Sequence, residues 1–219
     1  MKMRGILLAV LTTVFCCSTS QATITSASWW DDGDGALACS WTNLTLSGDA
    51  QSGTLSMSGV QNWGPGHMNG WIQTSGGDDP TLTLASSINN DTNFVWTDYH
   101  INVYMSSTFT IPNSGTLAPT VSNPPNSDWS VSSVVEPSSP LVSGPYAGDY
   151  EGTVNLLGGT PISINGLLDF SYAIQFSGAS GFNFTQEVIP STVPEPSTIG
   201  LLAMSGLLLG WGMLARRRR

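Results

Sequence analysis

Short stretches in which apolar and polar residues alternate recur along the chain and predict β-strands. In residues 170–176, two phenylalanines, a tyrosine and an isoleucine alternate with smaller or polar residues, which is the period-two pattern of a strand with one buried face. Residues 99–105 alternate in a similar way. Further strands are predicted at 22–30, 36–46, 53–60, 70–74, 81–86, 93–97, 152–157 and 182–189. No window between residues 23 and 192 has apolar residues at helical spacing, so this part of the chain is predicted to be all-β.

Two glycine-containing dipeptides predict turns in the second half of the chain. Asn165-Gly166 separates two apolar runs and is a strong hairpin signal. Gly158-Gly159 predicts another tight turn shortly before it, so residues 150–189 should form a meander. Many short strands without helices imply an antiparallel β-sandwich or a jelly-roll-like domain at 23–192, of which we favour the sandwich.

A proline-rich segment interrupts this pattern at residues 112–149, which contain seven of the 13 prolines. It is predicted either to form a long loop over one end of the sandwich or to connect two halves of it. A short edge strand is predicted inside the segment at residues 131–135.

The two ends of the chain have a different composition. Lys2 and Arg4 precede an apolar run at 5–15, and small residues follow up to Ala22, which predicts a secretory signal peptide at 1–22. Near the other end, residues 199–215 are uncharged. As a transmembrane helix they would span roughly 25 Å of a bilayer core about 30 Å thick. Four arginines follow this run and predict a cytoplasmic end by the positive-inside rule: Arg216, Arg217, Arg218 and Arg219.

The residues directly before the apolar run are Val193, Pro194, Glu195 and Pro196. With the run and the arginines, they make 193–219 similar to the PEP-CTERM sorting signal of bacterial exosortase systems. The resemblance implies an exosortase-like processing enzyme, a single-pass intermediate in the inner membrane, and delivery to the cell surface or exopolysaccharide matrix. It implies no activity for the body, because this signal occurs on many unrelated proteins. An ordinary single-span anchor is the alternative.

Charge separates the ends of the chain from its body. All six lysines and arginines lie at positions 2, 4 and 216–219. Residues 23–192 contain 14 of the 15 acidic residues, the exception being Glu195. Nucleic acid is excluded as a partner, because there are no cations to neutralise phosphates. Catalysis by lysine and the binding of anionic substrates by arginine are also excluded, and we expect a body that is not an enzyme.

Candidate chemistry in the body is sparse. Asp31, Asp32 and Asp34 resemble part of a calcium loop, but Ala36 lies where an EF-hand needs an oxygen ligand. We therefore predict a turn without a cofactor, and a calcium site is the alternative. His67 and His100 lie in no metal-binding motif. Cys39 is the only cysteine outside the signal peptide; it should be buried and inert, or else pair between chains.

Tryptophan is the one residue type that suggests a ligand. Seven of the eight tryptophans lie between residues 23 and 192. Trp41 and Trp96 are predicted in the core, whereas Trp63, Trp71 and Trp129 are candidates for contact with sugar rings. The favoured interpretation is a structural or adhesive surface protein. The alternative is a carbohydrate-binding module that uses exposed tryptophans, and a glycan-active enzyme is the least favoured.

Overall fold

A computed structural model describes residues 22–75, 80–122, 128–176 and 181–192. The predicted signal peptide apart from Ala22, the sorting motif and the C-terminal apolar run lie outside these ranges. Within them, no helix is both long enough and apolar enough to cross a membrane.

The described residues form twelve strands and one short 3₁₀ helix at Gly115–Leu117. In chain order, the strands are β1 (Thr23–Asp31), β2 (Leu37–Leu46), β3 (Ser52–Gln61), β4 (Gly66–Ser75), β5 (Thr81–Asn90), β6 (Trp96–Met105), β7 (Phe109–Thr110), β8 (Thr120–Ser122), β9 (Ser130–Val135), β10 (Tyr150–Ile162), β11 (Leu167–Phe176) and β12 (Gly181–Ser191). The prediction of an all-β body is confirmed.

All strands belong to one sheet with the order β7-β11-β5-β3-β2-β1-β4-β12-β6-β10-β9, and β8 also pairs with β11. Neighbours are antiparallel except β3 and β5, which are parallel, so the expectation of a purely antiparallel sheet is wrong for this pair. The reason is a crossover. After β3, the chain forms β4, which pairs with β1 and β12 instead of with β3. The next strand, β5, then pairs with β3 and runs in the same direction as β3.

The sheet curls so that its two halves face each other across one core. Tyr99 of β6 packs against Phe170 of β11 with ring centroids 5.8 Å apart. The rings of Phe176 in β11 and Phe182 in β12 are 5.0 Å apart. A buried hydrogen bond crosses the same space, because the Tyr99 hydroxyl donates to Oε1 of Gln61 at 2.7 Å. Inward-facing side chains from both halves therefore make a single apolar interior.

Of the two turns predicted from glycine-containing dipeptides, one is present in the structure and one is not. The hairpin at Asn165-Gly166 is confirmed: residues 163–166 join β10 to β11, and Asn165 has a φ of 63°, a left-handed conformation that is common in hairpin loops. The turn predicted at Gly158-Gly159 is wrong, because both residues lie inside β10. The indole of Trp129 occupies the space beside Gly158, where a Cβ would lie 2.1 Å from Cε2 and Nε1.

The proline-rich segment contributes strands to opposite ends of the sheet order. Strand β8 pairs with β11, whereas β9 pairs with β10 and forms the edge predicted at 131–135. Between β9 and β10, Pro140 bridges to Tyr150. The intervening loop turns back there and lies beside strand β6, where it delimits the surface described next.

Candidate functional site

The outward-facing side chains of β1, β4, β12, β6 and β10 form one continuous surface, here called the outer polar face. Strand alternation places polar or aromatic residues on it while their neighbours face the core. Its members are Ser28, Trp30, His67, Asn69, Trp71, Gln73, Asp98, His100, Asn102, Tyr104, Glu151, Thr153, Asn155, Asn183, Thr185 and Glu187.

Side-chain hydrogen bonds run across this face from strand to strand. One row contains His67, Glu187, Asn102 and Thr153 at successive pairing positions. In it, Asn102 Nδ2 donates to Oε2 of Glu187 at 3.0 Å, and the Thr153 hydroxyl donates to Oδ1 of Asn102 at 3.1 Å. In the next row, the Thr185 hydroxyl donates to Oδ1 of Asn69 at 3.0 Å. These bonds fix the rotamers of short polar side chains and so make the face rigid.

Two exposed indoles lie on this rigid surface. Trp30 is 47% exposed and pairs with Asn69, whereas Trp71 is 37% exposed and lies two residues further along β4. The two rings are thus diagonal neighbours on adjacent strands. Trp71 extends over β12, because a Cβ on Gly181 would lie 1.8 Å from its Cζ2. Glycine at this position is what allows the indole to lie against the sheet.

A carboxylate–imidazole cluster occupies the end of the face where β1 turns into β2. Oδ1 of Asp32 accepts from the backbone N–H of Asp34 at 3.0 Å, and Oδ1 of Asp34 accepts from that of Ala36 at 2.7 Å. The other carboxylate oxygen of each aspartate faces Nδ1 of His67, at 3.5 Å for Asp32 and 4.0 Å for Asp34. On the opposite side of the ring, Nε2 lies 3.4 Å from Oε1 of Glu187. The imidazole therefore lies between three carboxylates.

Two stacked tyrosines border the cluster. The rings of Tyr104 and Tyr146 lie 4.0 Å apart and are nearly parallel, and the Tyr104 hydroxyl donates to Oε2 of Glu187 at 3.0 Å. Burial, followed by the charge of Glu187, holds the pKa of Tyr104 far above its usual range. Burial and the charges of Glu187, Asp32 and Asp149 also raise the pKa of Tyr146. Both phenols stay protonated at physiological pH, and Tyr104 acts as a neutral donor to Glu187.

The predicted tryptophan contacts divide into two groups. Trp71 lies on the outer polar face, and Trp63 is 55% exposed in the loop between β3 and β4, beside Gly35. The prediction that Trp129 is an exposed sugar contact is wrong. It is 5% exposed, and its Nε1–H donates to the carbonyl of Thr160 at 2.8 Å. Trp96 is buried as predicted, and the Trp41 side chain lies outside the described part of the structure.

The aspartate turn and the cysteine differ in part from their predictions. Asp31 points away from the cluster, where its Oδ2 accepts from the backbone N–H of Cys39 at 3.3 Å. Cys39 is only partly buried. Desolvation, followed by the charges of Asp31 and Asp32, raises the pKa of its thiol to about 12. A thiol with this pKa stays protonated at neutral pH, so low reactivity remains the prediction, and its cause is local charge as well as partial burial.

Sequence reasoning missed Trp30, His67 and Glu187. His67 was interpreted as isolated because its partners are 35, 33 and 120 residues away in sequence, at Asp32, Asp34 and Glu187. The signal in the sequence that could have found them is the alternation of inward-facing and outward-facing residues along each strand. His67 and Glu187 each lie between buried residues on a strand, and Trp30 follows the buried Trp29, but alternation alone does not show which strands are adjacent.

Comparison with known proteins identifies the end of the chain. Residues 192–219 match the model of the PEP-CTERM protein-sorting motif, which confirms the resemblance based on Val193, Pro194, Glu195 and Pro196. No curated protein and no solved structure matches the chain. The motif defines an exported protein that is sorted to the surface or the extracellular space by an exosortase-like enzyme.

Proposed function

We propose that this exported protein adheres to polysaccharide of the cell surface or extracellular matrix through the outer polar face. The observation that carries the proposal is the indole of Trp71, which is exposed yet held along the sheet over Gly181. Such an indole offers a flat apolar surface to a pyranose ring. Trp30 provides a second ring on the next strand, so successive sugars of one chain can each meet an aromatic face.

The polar side chains around the indoles support the same proposal. Asn69, Gln73 and Asn183 lie beside Trp71 on the same face, and amide groups both donate to and accept from sugar hydroxyls. Because residues 23–192 contain no lysine or arginine, the surface has no fixed cation for a sulfated or uronic-acid polymer. The proposed ligand is therefore a neutral polysaccharide.

We propose binding without catalysis. Two carboxylates at this end of the face are already engaged: Glu187 accepts from Asn102 and Tyr104, and Oδ1 of the neighbouring Asp32 accepts from the backbone of the turn. Membrane attachment through residues 199–215 before processing belongs to the same proposal, as a step that brings the protein to the exosortase-like enzyme. The cation-free body also supports the proposal that nucleic acid is not a partner.

The test is an array of neutral and anionic polysaccharides probed with the mature protein isolated from its host. Saturable binding to a neutral glycan, without release of reducing ends, is expected. Trp71→Ala and Trp30→Ala should each weaken binding by roughly 1–3 kcal/mol, by analogy with aromatic stacking on bases. Trp63→Ala is the matched control, because it removes an even more exposed indole, 55% against 47% for Trp30 and 37% for Trp71, from a loop beyond the sheet. Equal loss in all three variants, or preference for anionic glycans, would contradict the proposal.

A further inference from the structure

We propose that Asp32, Asp34 and His67 form a binding site for a divalent transition metal of the zinc type. Their ligand atoms all lie within 4.8 Å of one another. The site is separate from the indoles of the outer polar face and does not depend on the proposed glycan binding. Its three ligands leave room for at least one further ligand, such as water.

The distances fit a metal-sized space. Zinc binds histidine nitrogen and carboxylate oxygen at about 2.0–2.2 Å, so two ligand atoms of a tetrahedral site lie about 3.4 Å apart. In the cluster, Nδ1 of His67 is 3.5 Å from the free oxygen of Asp32 and 4.0 Å from that of Asp34. Small side-chain rotations would bring all three atoms to coordination distance of one ion.

The other atoms of the cluster are arranged to leave these three free. The turn uses Oδ1 of both aspartates as acceptors for backbone N–H groups, so that Oδ2 of each faces the imidazole. Oε1 of Glu187 lies 3.4 Å from Nε2 of His67 across the ring, so an imidazole that carries its hydrogen on Nε2 directs the Nδ1 lone pair at the aspartates. A carboxylate that orients the far nitrogen of a histidine ligand is the usual outer shell of zinc sites. Glu187 is itself held by Asn102 and Tyr104, and is therefore a positioning residue.

The negative charge of the cluster favours the binding of a cation from solution. When the imidazole carries its hydrogen on Nε2, Nδ1 is an acceptor that faces two acceptors, which is unfavourable unless a cation lies between them. Histidine is the only side chain between residues 23 and 192 that can carry a positive charge, because lysine and arginine are absent there. Calcium and magnesium prefer sites built wholly from oxygen, whereas an imidazole selects zinc, copper or nickel.

The experiment titrates zinc and cobalt into the mature protein, isolated without a histidine tag. Calorimetry should give one saturable zinc site, and cobalt should give the visible absorption of a four-coordinate ion. Asp34→Asn preserves the turn through Oδ1 but removes one ligand oxygen; it and His67→Gln should each weaken zinc binding at least tenfold. Glu187→Gln should weaken it about tenfold while the four-coordinate cobalt spectrum is retained, as expected for a positioning residue.

His100→Gln is the matched control, since His100 contacts Asp98 and Asn155 on the same face but no second carboxylate. It should bind zinc like the wild type. Three results would overturn the proposal: no saturable zinc binding in the micromolar range, equal loss in the His100 variant, or displacement of zinc by millimolar calcium. Circular dichroism of each variant checks that the sheet is intact, and the exposed Asp34 keeps the test valid if the His67 variant does not fold.

Discussion

Replacing Gly158 with alanine should displace the buried indole of Trp129 and destabilise the edge of the sheet. A Cβ at this position would lie 2.1 Å from both Cε2 and Nε1 of the ring, well inside van der Waals contact. The ring has little space to move, because it is 5% exposed and its N–H is bonded to the carbonyl of Thr160. Gly158 has no positive φ, so backbone strain is not part of the effect.

The expected loss of unfolding free energy follows from the buried surface and the hydrogen bond that the indole loses. A tryptophan buries roughly 150–250 Å², which at about 25 cal/mol per Å² corresponds to about 4–6 kcal/mol for full exposure. Alanine displaces the ring without removing it. Loss of about half of this burial, together with a hydrogen bond of about 1 kcal/mol, gives a cost of about 3–4 kcal/mol. That is a large part of the total stability of a typical domain, about 5–15 kcal/mol.

Urea unfolding of the mature protein, followed by circular dichroism, measures this cost. Gly159→Ala is the matched control, because the next residue of β10 also lacks a Cβ, and an added Cβ would meet the Asp128 side chain, with Oδ2 nearest at 2.4 Å. That carboxylate can rotate away, and the variant loses only the hydrogen bond from the Thr160 hydroxyl, worth about 1 kcal/mol. If the two alanine variants have equal unfolding free energies, or if Gly158→Ala matches the wild type, the packing argument is refuted.

Three further predictions concern single residues. Gly181→Ala should lower glycan affinity as much as Trp71→Ala does on the same array, because its Cβ would occupy the position of the Trp71 indole. Native Cys39 should react slowly with iodoacetamide at pH 9 and rapidly in urea, because its pKa is raised from 9.0 to about 12. Since the folded pKa is the higher one, the stability that Cys39 contributes should decline as pH rises from 9 towards 12 in urea titrations. Asn165→Ala should cost about 1–2 kcal/mol in thermal unfolding, because alanine tolerates a φ of 63° less well, whereas Asn165→Gly should cost little.

Local patterns in the sequence were enough to predict the strands and one hairpin. Alternation in residues 170–176 and the Asn165-Gly166 turn act within a few residues of each other, so both predictions hold. Gly158-Gly159 failed because glycine has two uses in strands, to turn the chain or to admit a neighbouring ring. Only the position of Trp129, 29 residues earlier in the chain, distinguishes the two.

The candidate site was beyond reach of such local patterns. His67 and Glu187 become neighbours only because β12 pairs with β4, and the sequence of neither strand predicts that pairing. The parallel pair β3 and β5 was missed for the same reason, since it depends on where β4 goes. By contrast, the PEP-CTERM motif could be predicted directly from the sequence, because a processing enzyme recognises a short linear segment rather than a folded surface.

The missing lysines and arginines explain how the outer polar face is built. In most proteins a carboxylate on a sheet surface can pair with a nearby cation, but here Glu187 relies on the neutral donors Asn102 and Tyr104. Asp32 and Asp34 rely on backbone N–H groups. Neutral donors orient carboxylates without cancelling their charge. On the two proposals made above, this face would repel anionic polymers and bind neutral sugars through its amides and indoles, and the uncancelled charge beside His67 would attract a metal ion. One feature of the composition thus underlies both proposed interactions.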